Sequence, residues 1–242
     1  MQYHSLVNHN GVIWKMRKSN KKIHAHERSI SSYDRKPGKH PPRKNILIVC
    51  EGKETEPNYF KSLRCYLKLQ NVQVEIKDRA GAPKSIIDMA VRLQEKRKKE
   101  SEKSISLSEY DTVWCVFDIE NPHLNPSLKK AISKADSNNY ELAISNPAFE
   151  FWYILHFGKT TRPFNNGKEV KDLLKTYINN YSESLDVFSL LRKKTKYAIN
   201  NSKEILDKHP EKEERFPNPS TRIHLLVKEM IEMSIIGREE FN

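Results

Sequence analysis

The sequence predicts an α/β fold in which a four-stranded parallel sheet has helices on both faces. Between residues 45 and 158, apolar runs of strand length alternate four times with segments of helical periodicity, which is typical of a parallel sheet with crossover helices. The first run, Ile46–Cys50, is apolar at every position, as in a strand that is buried on both faces. The pattern changes after Gly158, where we expect a C-terminal helical extension and no strand.

Each predicted strand is followed by a predicted helix. Apolar or alternating residues predict the other three strands at Val72–Ile76, Tyr110–Phe117 and Tyr140–Ile144. In the α/β region we expect helices after Thr55 as N-cap, from Ser85, and over Ser127–Ala135 and Phe149–Phe157. In the extension we expect helices at Glu169–Ile178, Thr195–Asp207 and Thr221–Ile235.

Positive charge is concentrated in the first 44 of the 242 residues. Met1–Lys44 has eleven Lys and Arg residues against two acidic ones, whereas the other 198 residues have 32 basic and 29 acidic side chains. We therefore expect a basic, largely disordered tail (1–44), an α/β domain (45–158) and a helical extension packed on that domain (159–242). A basic tail favours a polyanionic partner such as nucleic acid, and a solubilising tail is the alternative.

The sequence argues against several classes of protein. Its longest apolar stretch, Ile46–Cys50, is far shorter than the roughly 20 residues of a membrane-spanning helix. The first residues also lack a signal-peptide core, so we expect a cytoplasmic protein without a membrane partner. Three cysteines cannot all pair, which suits a reducing compartment. The sequence has no Cys/His cluster that would support a structural zinc site. It also has no G-x-x-x-x-G-K phosphate loop, so the chain is not expected to hydrolyse ATP.

Acidic residues follow three of the four predicted strands. Glu51 comes directly after the first strand, Asp118 and Glu120 end the third, and Glu150 follows the fourth. Because the carboxyl ends of parallel strands meet at one edge of a sheet, we expect these side chains to gather there. Acids without basic partners repel one another unless protons or cations neutralise them, and carboxylate oxygens suit Mg²⁺ or Mn²⁺. The pattern therefore indicates a metal site for phosphodiester chemistry, and solvated acids that only terminate strands are the alternative.

Three segments resemble motifs of the RloB-like family. They are Ile46–Phe60 (ILIVCEGKETEPNYF), Ser145–Phe157 (SNPAFEFWYILHF) and Asn218–Thr221 (NPST), and the resemblance covers roughly residues 45–235. The glutamate-glycine after the first strand and the D-x-E pair after the third also resemble the Toprim domain. The resemblance implies a Toprim-like fold and kinship with AbiLii and OLD-type abortive-infection proteins. It also implies a Mg²⁺-dependent nuclease for DNA or RNA, including tRNA, that acts in phage defence beside an AAA or ABC-type ATPase.

The resemblance and the positions of the acids suggest individual roles. Glu51 is expected to be a metal ligand or a general base, and Asp118 and Glu120 are expected to be metal ligands. Glu120 departs from the Toprim pattern, which usually has the shorter aspartate at this position. Glu150 is expected to be either a fourth catalytic acid or only an acidic residue in the first turn of a helix.

Lys53, Asn146 and His156 are candidates for substrate binding. Lys53 closely follows Glu51 and could approach a phosphate, whereas a surface lysine is the alternative. Asn146 lies in the second family-like segment. His156 lies about two turns after Glu150, and a core histidine is the alternative.

The leading hypothesis for function is a metal-dependent nuclease of a defence system. The second is a non-catalytic Toprim-like module that binds nucleic acid or a partner ATPase, and Glu120 is its main support. Nucleotidyl transfer, as in Toprim primases, is a third option. It is disfavoured because the sequence shows no zinc module.

Overall fold

The computed structural model describes residues 5–7, 13–15, 44–76, 83–119, 126–208 and 216–241. The chain divides into two compact units, Met1–His40 and Pro41–Asn242. In the first unit, strand β1 (Ser5–Val7) pairs antiparallel with strand β2 (Ile13–Lys15). Most of the tail that was predicted to be disordered lies outside the described residues.

The second unit contains a five-stranded sheet. Its strands are β3 (Ile46–Cys50), β4 (Val72–Ile76), β5 (Thr112–Asp118), β6 (Glu141–Asn146) and β7 (Ser220–Thr221), arranged in the order β4-β3-β5-β6-β7. The first four are parallel, whereas β7 runs antiparallel to β6. The predicted α/β fold with four parallel strands is therefore confirmed. The expectation of no strand after Gly158 is wrong, because a strand of two residues is too short to show alternation in the sequence.

Besides a 3₁₀ helix at Arg192–Lys194, nine α-helices surround this sheet in the described part of the second unit. They are α1 (Thr55–Tyr66), α2 (Pro83–Ser101), α3 (Pro126–Ser137), α4 (Glu150–Ile154), α5 (Gly167–Tyr177), α6 (Val187–Leu191), α7 (Thr195–Asp207), α8 (Ile223–Glu232) and α9 (Ile235–Phe241). Thr55 is the first residue of α1 and not its N-cap, which is Glu54. The helix expected at Thr221–Ile235 is shorter, because Thr221 lies in β7 and Ile235 begins a separate helix. The short α6 was not predicted.

The sheet is covered on both faces, as its apolar strands predicted. Ile46 and Ile48 face a core formed with α1 and α4 and with the helices α5–α9. Leu47 and Val49 face the opposite core, which is formed with α2 and α3. This alternation is the two-residue period of a strand that is buried on both sides. Among the described helices, none is both long and apolar enough to cross a membrane.

A carboxylate of the helical extension anchors it to the central strand. Glu229 of α8 accepts a hydrogen bond from Trp114 Nε1 at 2.7 Å and one from Thr112 Oγ1 at 3.2 Å. Lys44 Nζ lies 3.5 Å from the same carboxylate. Trp114 is buried, so its indole N–H depends on this acceptor.

Removing that acceptor should destabilise the fold. Glu229→Ala leaves a buried N–H without a partner, which costs about 1–3 kcal/mol, whereas Glu229→Gln keeps an oxygen acceptor and should cost less. Urea unfolding measures the free energy of each variant. Glu232→Ala, at an exposed position of the same helix, is the control. Equal stabilities for the two alanine variants would contradict the anchoring role.

Candidate functional site

The backbone brings Glu51 and Asp118 together at the carboxyl edge of the sheet. Cys50 pairs with Val116 across β3 and β5, and the Glu51 N–H continues the ladder by donating to Val116 O at 3.0 Å. Asp118 N donates to Glu51 Oε2 at 3.4 Å. The first strand and the third therefore deliver their acids to adjacent positions, as the sequence pattern predicted.

The side chain of Asp118 lies near three other acids, Glu51, Glu56 and Glu150. Its Oδ2 accepts a hydrogen bond from Phe149 N at 3.0 Å, whereas its Oδ1 is buried without a hydrogen-bond partner among the described residues. Burial raises the pKa of Asp118 well above its ordinary value, and the negative charges of Glu56, Glu150 and Glu51 raise it further. The Phe149 N–H opposes this shift only in part. The carboxyl group therefore favours a proton or a cation as its partner.

The pKa of Glu51 is raised in the same direction. Burial of the carboxyl group is the larger cause, and the hydrogen bond from the Asp118 N–H opposes it. Two neighbouring acids, Glu51 and Asp118, therefore both favour their neutral forms more than a free carboxyl group does.

Glu56 is a fourth acid of this edge, and sequence reasoning missed it. It lies buried in the first turn of α1, and its carboxylate packs so closely on Gly52 that a Cβ there would overlap it. Burial raises the pKa of Glu56 to about 7, backbone N–H groups of Glu56 and Gly52 oppose the shift, and the charges of Glu150 and Glu51 add to it. The signal in the sequence was the spacing E-G-x-x-x-E, since a helix that follows β3 presents its first turn to the same edge.

Glu150 differs from the other acids because a basic residue faces it. This buried residue begins α4, and its Oε1 accepts a hydrogen bond from Tyr181 OH at 2.8 Å. Lys171 Nζ of α5 lies 3.6 Å from the same oxygen and also pairs with Glu183. The expectation that the acids lack basic partners is therefore wrong for Glu150. Glu150 is the first residue of a helix, and its charge also raises the pKa of Asp118 and of Glu56, so its role as a catalytic acid stays a prediction.

Lys171 is positively charged under all ordinary conditions. Its partial burial disfavours the ammonium group, but the hydrogen bond to Glu183 and the charges of Glu150 and Asp118 outweigh burial and raise its pKa. This contact could not be predicted from the sequence, because Lys171 belongs to the helical extension and reaches the edge only in the folded chain.

The three candidates for substrate binding have different environments. Lys53 is exposed. Asn146 is buried, and its Nδ2 donates to Phe216 O at 2.9 Å. His156 is buried, its Nδ1 donates to Trp152 O at 3.0 Å, and burial lowers its pKa to about 4. His156 thus has the surroundings of a neutral core histidine, which was the alternative interpretation. Glu120 lies outside the described residues.

The donor set fits a hard divalent cation. Within the ranges that the structure describes, no three His, Cys, Asp or Glu side chains are arranged to hold a metal ion without rearrangement. Mg²⁺ nevertheless uses only one or two protein carboxylates and takes its other ligands from water and substrate. Glu51 and Asp118 supply two adjacent carboxylates, and the unpartnered Oδ1 of Asp118 is an oxygen that a cation would satisfy.

Fold and site together define an α/β protein whose mainly parallel sheet carries a cluster of acids at its carboxyl edge. We call Glu51, Glu56, Asp118 and Glu150 the acidic cluster. Comparison with protein-family models matches residues 46–230 to RloB-like protein, so the chain belongs to the RloB-like family, as its motifs predicted. No curated protein and no solved structure gave a match.

The raised pKa of Glu56 predicts that stability falls as pH rises. A carboxyl group whose pKa increases from 4.5 to about 7 on folding contributes stability that is complete below the lower value and lost through the higher one. In EDTA, the free energy of unfolding should therefore fall between about pH 4.5 and about pH 7. Glu56→Gln should remove up to about 3 kcal/mol of that fall, which urea unfolding across this range measures.

Glu54→Gln is the matched control, because Glu54 is exposed and only two residues away. This variant should keep the pH dependence of the wild-type chain. The same slope in the Glu56→Gln variant and in the wild-type chain would show that Glu56 does not carry the buried charge.

Proposed function

We propose that this RloB-like protein is a metal-dependent nuclease that hydrolyses phosphodiester bonds in DNA or RNA. The observation that carries the proposal is the contact between Glu51 and Asp118, where Asp118 N lies 3.4 Å from Glu51 Oε2. The other two members of the acidic cluster raise the pKa of Asp118. A cluster of buried acids destabilises the fold unless protons or cations neutralise it. Its presence therefore favours a role in binding a cation or in exchanging protons.

Each residue of this edge has its own proposed role in the reaction. Glu51 and Asp118 would hold Mg²⁺ or Mn²⁺, with Glu120 as a further candidate ligand. When bound, the cation would polarise a phosphoryl oxygen and lower the pKa of a bound water. Glu56, with a pKa of about 7, is suited to accept or return a proton at its carboxylate near neutral pH. Lys171 contributes a fixed positive charge beside Glu150, which favours the approach of a phosphate.

Membership of the RloB-like family supports a role as an effector of phage defence in the cytoplasm. The support comes through the resemblance of its motifs to Toprim effectors of abortive infection. The sequence has no G-x-x-x-x-G-K phosphate loop, so a separate AAA or ABC-type ATPase is the proposed partner protein.

A cleavage assay tests the proposed chemistry. Purified protein, incubated with plasmid DNA, single-stranded DNA, total RNA or tRNA, should cleave at least one of these in Mg²⁺ or Mn²⁺ and none in EDTA. Asp118→Asn and Glu51→Gln remove a charge without changing shape, and each should reduce the rate at least about 100-fold.

Glu141→Gln is the control for this assay. Glu141 is an exposed acid at the amino end of β6, at the opposite edge of the same sheet, so the variant should keep full activity. Undiminished cleavage by both the Asp118 and the Glu51 variants would refute the assignment of the site.

A non-catalytic module that binds nucleic acid or a partner ATPase is the second candidate. It is favoured by Glu120, because the Toprim pattern usually has the shorter aspartate at this position. This function predicts binding that survives EDTA and Glu51→Gln, with no cleavage of any substrate. Loss of binding in EDTA would argue against it.

A further inference from the structure

A basic surface lies outside the acidic cluster, on α7 and on the 3₁₀ helix (Arg192–Lys194) that joins α6 to α7. Residues 187–203 contain five basic side chains and no acidic one. We call Arg192, Lys193, Lys194, Lys196 and Lys203 the α6–α7 basic surface. All are exposed except Arg192, which is half-buried. These five charges exceed the whole positive excess of residues 45–242, which have 32 basic and 29 acidic side chains.

Aromatic rings hold two of these cations in place. The Arg192 guanidinium lies 4.9 Å from the centre of the Tyr66 ring, and Lys194 Nζ lies 4.7 Å from the centre of the Phe157 ring. Such contacts fix side chains that would otherwise move freely in solvent. These two side chains are therefore held in place, unlike those of an ordinary solvated run of lysines.

Tyr197 adds an exposed ring to this surface. Its side chain is 51% exposed, and it follows Lys196 directly in α7. The first acidic residue along α7, Glu204, pairs with Lys159, so a part of its charge is already neutralised. Surfaces that bind single-stranded nucleic acid combine positive charges with exposed aromatic rings on which bases stack.

The α6–α7 basic surface rests on the helices that carry two acids of the cluster. Phe188 of α6 contacts Tyr59 of α1, with ring centres 5.6 Å apart. Asn201 Nδ2 of α7 donates to Leu155 O, at the end of α4, at 2.8 Å. Since α1 and α4 begin with the turns that hold Glu56 and Glu150, surface and cluster lie on the same side of the sheet.

We propose that the α6–α7 basic surface binds the sugar-phosphate backbone of single-stranded RNA or DNA while one base stacks on Tyr197. The surface would hold the strand that the acidic cluster cleaves, and in naming this strand as substrate the inference rests on the proposed function. Unpaired bases are required, because a base within a duplex has no free face for the tyrosine ring.

Fluorescence anisotropy with a labelled single-stranded oligonucleotide, as RNA and as DNA, tests this surface. The full chain is titrated in EDTA at several salt concentrations, so that no cleavage occurs. Lys193→Gln combined with Lys203→Gln removes two phosphate contacts, and should weaken binding about tenfold and reduce the salt slope by about 1.5. Lys98→Gln combined with Lys99→Gln, at exposed positions of α2 on the opposite face, should change neither quantity.

Tyr197→Ala distinguishes nucleic acid from an acidic protein as the ligand. Loss of stacking should weaken oligonucleotide binding about fivefold or more and leave the salt slope unchanged, whereas binding of polyglutamate should not respond to this variant. Equal effects of the two lysine pairs would overturn the proposal. An unchanged oligonucleotide affinity in Tyr197→Ala, with polyglutamate binding that depends on Lys193 and Lys203, would overturn it in favour of an acidic partner.

This test is independent of the nuclease assay. Binding that depends on the surface, without cleavage of any substrate, would contradict the proposed nuclease and support the surface. Cleavage that requires Asp118, together with binding that is the same in the lysine variants and the wild-type chain, would support the proposed nuclease and contradict the role of the surface.

Discussion

The burial of several acids at one edge of the sheet, to which their mutual repulsion adds, is the constraint on which the candidate site depends. The register of β3 and β5 places Glu51 beside Asp118, and Glu56 and Glu150 lie in the first turns of the helices that follow β3 and β6. Helix N-termini and backbone N–H groups offset part of the negative charge, but the pKa values of three of these acids remain raised. The folded chain therefore favours any species that brings positive charge to this edge.

Side chains of the helical extension partly compensate the negative charge at this edge. Lys171 of α5 and Tyr181, in the segment after α5, both contact Glu150, so the extension supplies the cation that stands beside the cluster. Glu183 also pairs with Lys171. The family match extends over residues 46–230, so it includes both the α/β part and the helices that complete the site.

Much of the architecture could be predicted from local pattern, whereas parts of the site could not. Apolar strands and the acids that follow them in sequence determine the sheet and the adjacency of Glu51 and Asp118. Lys171 and Tyr181 contact Glu150 from a segment that is distant in the sequence. Local sequence patterns do not predict such contacts. Glu56 was overlooked because an acid in the first turn of a helix also has an ordinary capping explanation. The strand β7 pairs with β6, but its two residues are too few to show strand alternation in the sequence.

The most direct test of a cation site is the number of protons released when Mn²⁺ binds. Metal ligands must be deprotonated, so a cation that binds here should displace protons. The EDTA-stripped chain is titrated with Mn²⁺ near pH 6 in a calorimeter, in buffers of different ionisation enthalpy. We expect one binding event that releases roughly one proton. Asp118→Asn should abolish this event. An absence of Mn²⁺ binding to the wild-type chain, or identical binding by the variant, would contradict the central role of the acidic cluster.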